Sequence, residues 1–177
     1  EGKIQGRYIN KNVDIVILNK RTVIAGIGVK FVMQNYSQNS NNYFENMLGE
    51  TANIRSKNIP YFQIFVIPEK MPYYKSNGQW AKWEEFSLHN SKKYLILSQD
   101  NTDNFLHTPT KTLLYVVKFP EINIAIRTKD EYYDFYRNHQ NFKIEKSTRD
   151  YGTFSNSVIH NDYVTYMSKI ANYIKSI

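Results

Sequence analysis

The chain has no cysteine, so disulfide frameworks, thiolate zinc sites and cysteine nucleophiles are excluded. No apolar run approaches the roughly 18 residues of a membrane-spanning helix, and the opening residues do not read as a signal peptide. Repeats, heptad arrays, low-complexity tracts and obvious linkers are lacking as well. His89, His107, His139 and His160 are scattered without metal-ligand spacing. His107 follows Asp100 and Asp103, but one loop histidine beside acids reads as neither ligand nor catalyst. What remains is one domain over residues 1–177, with no membrane partner and a composition compatible with the cytoplasm. The chain opens on Glu1 rather than Met, and a missing N-terminal segment is an expectation.

Charge is what the chain has in excess. Its 23 Lys and Arg stand against 16 Asp and Glu, a formal net charge of +7. A field of that sign favours a polyanionic partner, nucleic acid before an acidic membrane surface. The same charge also serves plain solubility. Aromatics are abundant, with 15 Tyr, 10 Phe and 2 Trp. The load of Asn, Lys and Ile fits AT-rich coding, so abundance of those residues argues little.

Apolar periodicity predicts strands over 3–9, 12–18 and 23–33, with a turn at Asn19–Thr22. The second and third carry apolar residues on both faces, as strands at the centre of a covered sheet do. After a polar loop a helix is expected from an N-cap at Asn39 or Ser40 through Arg55. Its Phe44, Met47, Leu48, Thr51 and Ile54 share one face. Asn58 and Pro60 stop it, and Tyr61–Ile67 is a further strand. Strand, helix and strand with short links form a right-handed crossover, so 61–67 should run parallel to 23–33. The second half predicts a loop over 68–78, a short helix over 80–88, strands at 94–97 and 113–118, and helices at 128–139 and 161–175. An apolar stripe of Tyr163, Tyr166, Met167, Ile170 and Ile174 marks the last helix as core or dimer seam. The fold class is α/β, a central mixed sheet flanked by helices.

Two charges interrupt the central strands, Asp14 and Lys30. Lone charges are costly in buried strands, so their presence points to a metal ion and an activated water. Lys30 and position 28 face the same side. Asp14 joins them if the hairpin pairs it with residue 28 or 30, as a three-residue loop at Lys20–Thr22 would. A four-residue loop would pair it with Ile27 and turn it away. In the first case Asp14 would hold Mg²⁺, the ion keeping waters and phosphate oxygens, and Lys30 would steer the attacking water. The plainer alternatives are a surface strand start for Asp14 and a snorkelling Lys30.

An aspartate at the head of a hairpin, a lysine two residues past a position of interest on the next long strand, then helix and parallel strand, resembles the PD-(D/E)XK nuclease superfamily. The version here is similar to type II restriction endonucleases, most clearly over 10–67 within a core motif region of 3–67. Lys30-Phe31-Val32-Met33, the segment Gln38–Asn46 and Gly49-Glu50-Thr51 are similar to one restriction-enzyme subgroup. The resemblance implies a restriction-endonuclease-like core, Mg²⁺-dependent cleavage of double-stranded DNA, and a homodimer acting on a palindromic site. The chain departs from the pattern at Gly28, where the superfamily has Asp or Glu, and at Val13, where it often has Pro.

Some members with this gap take the second acid from the following helix. Lys30 lies about 10 Å from the strand end at 3.3 Å per residue. A helix returning at about 1.5 Å per residue draws level near residue 47. Glu45 and Glu50 bracket that level. Glu50 lies nearer the sheet-facing side and is preferred over Glu45, although alone it also reads as a solvated helix residue. The expected site is therefore Asp14 and Glu50 as metal ligands and Lys30 as the water-orienting group, with Glu45 in reserve. A DNA-binding module on the same fold without catalysis, which Gly28 favours, is the rival reading. An interaction domain with incidental charge is a second.

Overall fold

The structure, a computed structural model, describes residues 1–122, 125–139 and 141–177. Strands β3 (Ile15–Asn19), β4 (Thr22–Phe31), β5 (Tyr61–Pro68), β8 (Lys111–Lys118) and β10 (Val158–His160) form a mixed sheet in the order β10-β8-β5-β4-β3, with β9 (Glu145–Lys146) pairing on β8. β4, β5, β8 and β10 are mutually parallel, whereas β3 and β9 run antiparallel to their neighbours. The expected hairpin followed by a parallel crossover strand is thus present. The chain is α/β with a mixed sheet.

Helix α1 (Tyr36–Arg55) makes the crossover between β4 and β5. Met47, Thr51 and Ile54 are fully buried from its sheet-facing side, with Phe44 and Leu48 packed at the margin. Each large side chain so buried contributes about 1.5–3 kcal/mol. Together with α2 (Leu88–Gln99), α1 covers the face carrying Phe65, Ile67, Leu114 and Val116. The opposite face carries Ala25, Ile27, Phe62 and Leu113, and α4 (Tyr163–Lys175) seals it with Tyr166 and Ile170. Tyr163 and Met167, placed in the same stripe by the sequence, are exposed. Helix α3 (Lys129–Asn138) is capped by Thr128, whose hydroxyl accepts from the Glu131 backbone N–H.

Two smaller hairpins flank this sheet. β1 (Gly2–Gln5) pairs with β2 (Asn10–Val13), and Ile4 and Val13 pack against Ile54 and Tyr61 on the α1 face. β6 (Lys70–Tyr74) pairs with β7 (Trp80–Glu85) around the Ser76-Asn77-Gly78 turn, with Gly78 at φ 79°. This second hairpin corrects the expected loop over 68–78 and helix over 80–88. Asn-Gly between aromatic, alternating segments is a hairpin signal, and β6, paired on one side only by β7, accommodates Pro72.

Other boundaries differ for local reasons. The strand expected at 94–97 is the interior of α2, where Ser91, Tyr94, Leu97 and Ser98 are buried at helical spacing and Asn90 accepts from the Ser87 N–H. A short apolar run fits either period, and the capping side chain decides it. The strands expected at 3–9 and 12–18 are interrupted at Gly6–Ile9 and at Asp14.

Helix α1 starts about one turn before the expected caps. Asn35 sits in the left-handed region at φ 49° and is held there by tertiary bonds. Its carboxamide accepts from Tyr74 N and donates to Tyr74 O, both at 2.8 Å, so it stands in for a strand partner of β6. Replacing it leaves two strand-end groups unpaired in a backbone region that few residues tolerate. Asn35→Ala should lower unfolding free energy by about 2 kcal/mol, read as a shift of the urea midpoint at constant slope.

Candidate active site

The geometry of the site follows from the β3–β4 register. The turn has only two residues, Lys20 and Arg21, closed by the Asn19–Thr22 pair, with Lys20 at φ 55°. An unbroken two-residue hairpin would set Asp14 opposite Ile27. Between Leu18↔Val23 and Ile17↔Ala25, however, Ile24 is an extra residue on β4. This bulge moves the register by one, so Ile15 pairs with Ile27, and Asp14 is the bend residue that precedes this last pair. The bulge gives the register that a three-residue loop would give, and the ladder ends at Ile15, one residue short of Asp14.

At Asp14 the chain leaves β2 and enters β3. Its Oδ2 accepts a 2.6 Å hydrogen bond from the Val29 N–H across the strand gap. The carboxylate is exposed and borders an open groove of about 430 Å³ shared with Gly2, Lys3 and Val16. Lys30 lies two residues beyond Gly28 on β4, hence on the same face. It is half-buried and forms no ion pair among the described residues.

Glu50 arrives on that face from α1. Its Oε1 accepts a 2.8 Å bond from the Tyr61 hydroxyl, and its Oε2 lies 3.7 Å from Lys11 Nζ. Tyr61 begins β5 and pairs with Gly26, so its ring lies along the α1 face and its hydroxyl reaches over Gly28. A Cβ at residue 28 would overlap that hydroxyl and stand 2.9 Å from Gln63 Oε1. Glycine here is a packing requirement. The Tyr61 phenol fills the space a side chain would take and brings a carboxylate to the face where an acid at 28 would project. Burial, then the Glu50 charge and the bond to it, and then Asp14, push the Tyr61 phenol far above its ordinary pKa. It therefore stays protonated and remains a donor to Glu50.

Glu45 is not brought to this place. It is exposed on α1, where its charge acts on Lys93 of α2, whose ammonium donates to Asn41 Oδ1. Asp14, Lys30 and Glu50 share one region of the sheet, and Glu45 faces another helix. Among the described residues no group of three or more His, Cys, Asp or Glu side chains gathers as a metal cage. A cavity of about 640 Å³ bounded by Trp80, Trp83, Ile126 and Arg127 shares no residue with the site.

Three residues of this neighbourhood escaped the sequence reading. Tyr61 and Gln63 read as parts of an apolar strand, and a Gln set among such apolar residues is the one sequence signal there. Gln63 is almost fully buried, level with Gly28 on one side and Thr112 on the other. Lys11 lies on a separate hairpin whose packing no local pattern announces.

No protein-family model matches the chain, and no curated protein or solved structure matches it significantly.

The packing at Gly28 makes a double-mutant cycle informative. Gly28→Ala should cost about 1–3 kcal/mol by overpacking against the Tyr61 hydroxyl. Tyr61→Phe in the same chain should recover part of that loss, giving a coupling of at least about 0.5 kcal/mol. Urea denaturation of the four proteins measures it.

Proposed function

We propose that the chain is a Mg²⁺-dependent endonuclease that hydrolyses phosphodiester bonds of double-stranded DNA on a restriction-endonuclease-like core, in the manner of a type II restriction enzyme. The observation that supports this reading is that the Asp14 carboxylate bonded to Val29, Lys30, and Glu50 held by Tyr61 over Gly28 all border the same stretch of β4. An antiparallel hairpin leading through a crossover helix to a parallel strand surrounds them.

The donor set fits a hard divalent cation. Mg²⁺ characteristically takes one or two carboxylates and retains several waters. Asp14 Oδ1 accepts no hydrogen bond among the described residues, and Glu50 Oε2 has only the longer contact to Lys11. Asp14 and Glu50 would hold the ion, which when bound supplies positive charge to the scissile phosphate. Val29 N–H fixes the Asp14 carboxylate, and Tyr61 fixes that of Glu50. Lys30 is a cation on the same face without a counter-ion among the described residues, suited to orienting an attacking water and stabilising developing negative charge. A two-fold homodimer would match the symmetry of a palindromic site. The +7 charge favours the polyanionic substrate.

The rival is a DNA-binding module on this fold without catalysis. Its support is also at Gly28, since the carboxylate count stops at two. Digestion of a mixed plasmid panel separates the readings. Discrete fragments are expected with Mg²⁺ and none with EDTA. Lys30→Ala and Glu50→Gln should each slow single-turnover cleavage by at least about 100-fold, while Glu45→Gln leaves it near wild type. Cutting that persists in Lys30→Ala overturns the assignment, and tight binding without any cutting selects the rival.

A further inference from the structure

We infer that the tip of the β1–β2 hairpin, residues 6–9, is a duplex-DNA contact beside the candidate active site, with Arg7 meeting a phosphate and Tyr8 packing on a base or sugar. The inference rests on the nuclease reading above and names how its substrate is gripped.

Tyr8 is 79% exposed and Ile9 60% exposed, and Tyr8 is the most exposed large apolar side chain among the described residues. A loop presenting that much apolar surface to water would ordinarily be loose. This one is clamped. Asn53, a residue of α1 only 7% exposed, accepts from both Tyr8 N (2.9 Å) and Ile9 N (3.3 Å) through Oδ1. Its Nδ2 donates to Ile9 O at 2.9 Å. The Arg7 N–H donates to Asn53 O at 2.8 Å, and Gly6 N–H to Ile9 O at 3.2 Å. A Cβ on Gly6 would overlap the Asn53 carboxamide, so glycine is needed for the clamp to close. The backbone of the loop is thus satisfied internally, and its side chains are left facing outward.

Fixing an aromatic and a cation in advance lowers the ordering cost of binding. The Arg7 guanidinium carbon lies 5.7 Å from the Tyr8 ring centroid, a stacked pair that stiffens both side chains. Arginine over an aromatic ring suits a nucleic acid, where phosphate and base or sugar alternate along the strand.

The loop belongs to the same assembly as the carboxylates. Asn53 lies one helical turn beyond Glu50, and Lys11, just past the loop on β2, has its ammonium 3.7 Å from Glu50 Oε2. Along β2, Tyr8 lies at most about 20 Å from Asp14 at 3.3 Å per residue, the span of roughly six phosphates of one strand at 3.4 Å each. A duplex lying on Asp14 and Glu50 therefore passes the loop within one helical turn.

The test is fluorescence anisotropy of a labelled mixed-sequence 30-base-pair duplex (a length of about three turns) in EDTA over a range of salt. Parallel titrations measure Mn²⁺ binding by water proton relaxation. Tyr8→Ala should weaken duplex binding about tenfold with the salt slope unchanged. Arg7→Gln should weaken it and reduce the slope by about one. Both should bind Mn²⁺ as the wild type does, because neither residue belongs to the carboxylate pair. Variants that bind the duplex as tightly as a wild type that binds and cuts it overturn the loop assignment and leave the nuclease reading standing. A wild type that neither binds nor cuts duplex overturns both. Preference of the wild type for single strands, lost in Tyr8→Ala, also overturns the duplex assignment.

Discussion

The hydrogen bond from the Tyr61 hydroxyl to Glu50 passes over bare backbone at Gly28 and ties together three elements distant in sequence. Tyr61 belongs to β5, Gly28 to β4 and Glu50 to α1, and each constrains the other two. A side chain on β4 would displace the phenol. Without the phenol, the carboxylate would have solvent and Lys11 as its partners. Without the carboxylate, a buried hydroxyl would lose its acceptor, at a cost of about 1–3 kcal/mol. The glycine at residue 28 and the placement of a helix glutamate on the sheet face are thus one structural fact seen from two sides.

How far the sequence foretold this depends on the range of the interactions. The hairpin, the crossover helix and the parallel strand follow from apolar period and stop signals, and they were legible. Met47, Thr51 and Ile54 are buried as their spacing indicated. The preference for Glu50 over Glu45 followed from helix phase alone, and the two glutamates do occupy different surroundings. Asp14 could be placed only conditionally, because the hairpin has two admissible registers and a bulge is not encoded by any residue type.

The misread elements lie where a tertiary partner or a cap outweighs local pattern. Residues 94–97 form a helix interior because Ser87 and Asn90 start α2 and Ser91 and Ser98 are buried beside the apolar positions. Residues 80–85 form a strand because they pair with 70–74, where Pro72 argues against a strand in isolation. Asn35 begins α1 early because β6, remote in sequence, hydrogen-bonds its side chain. Lys11 enters the site through packing between separate sheets, and Gln63 through the pairing of β5 with β4 across the crossover. No window of neighbouring residues contains that information.

The bulge at Ile24 carries a further implication for how such a chain can vary. Side-chain orientation in a ribbon has period two, so what matters for Asp14 is whether the combined number of turn and bulge residues is odd or even. A descendant that gained one residue between Asn19 and Thr22 would have to shed the bulge to keep Ile15 opposite Ile27. One that gained two could retain it. Length changes in this turn are consequently allowed in steps of two, or in compensated pairs, and a single uncompensated insertion far from the carboxylates would invert the site while leaving every one of its residues unchanged.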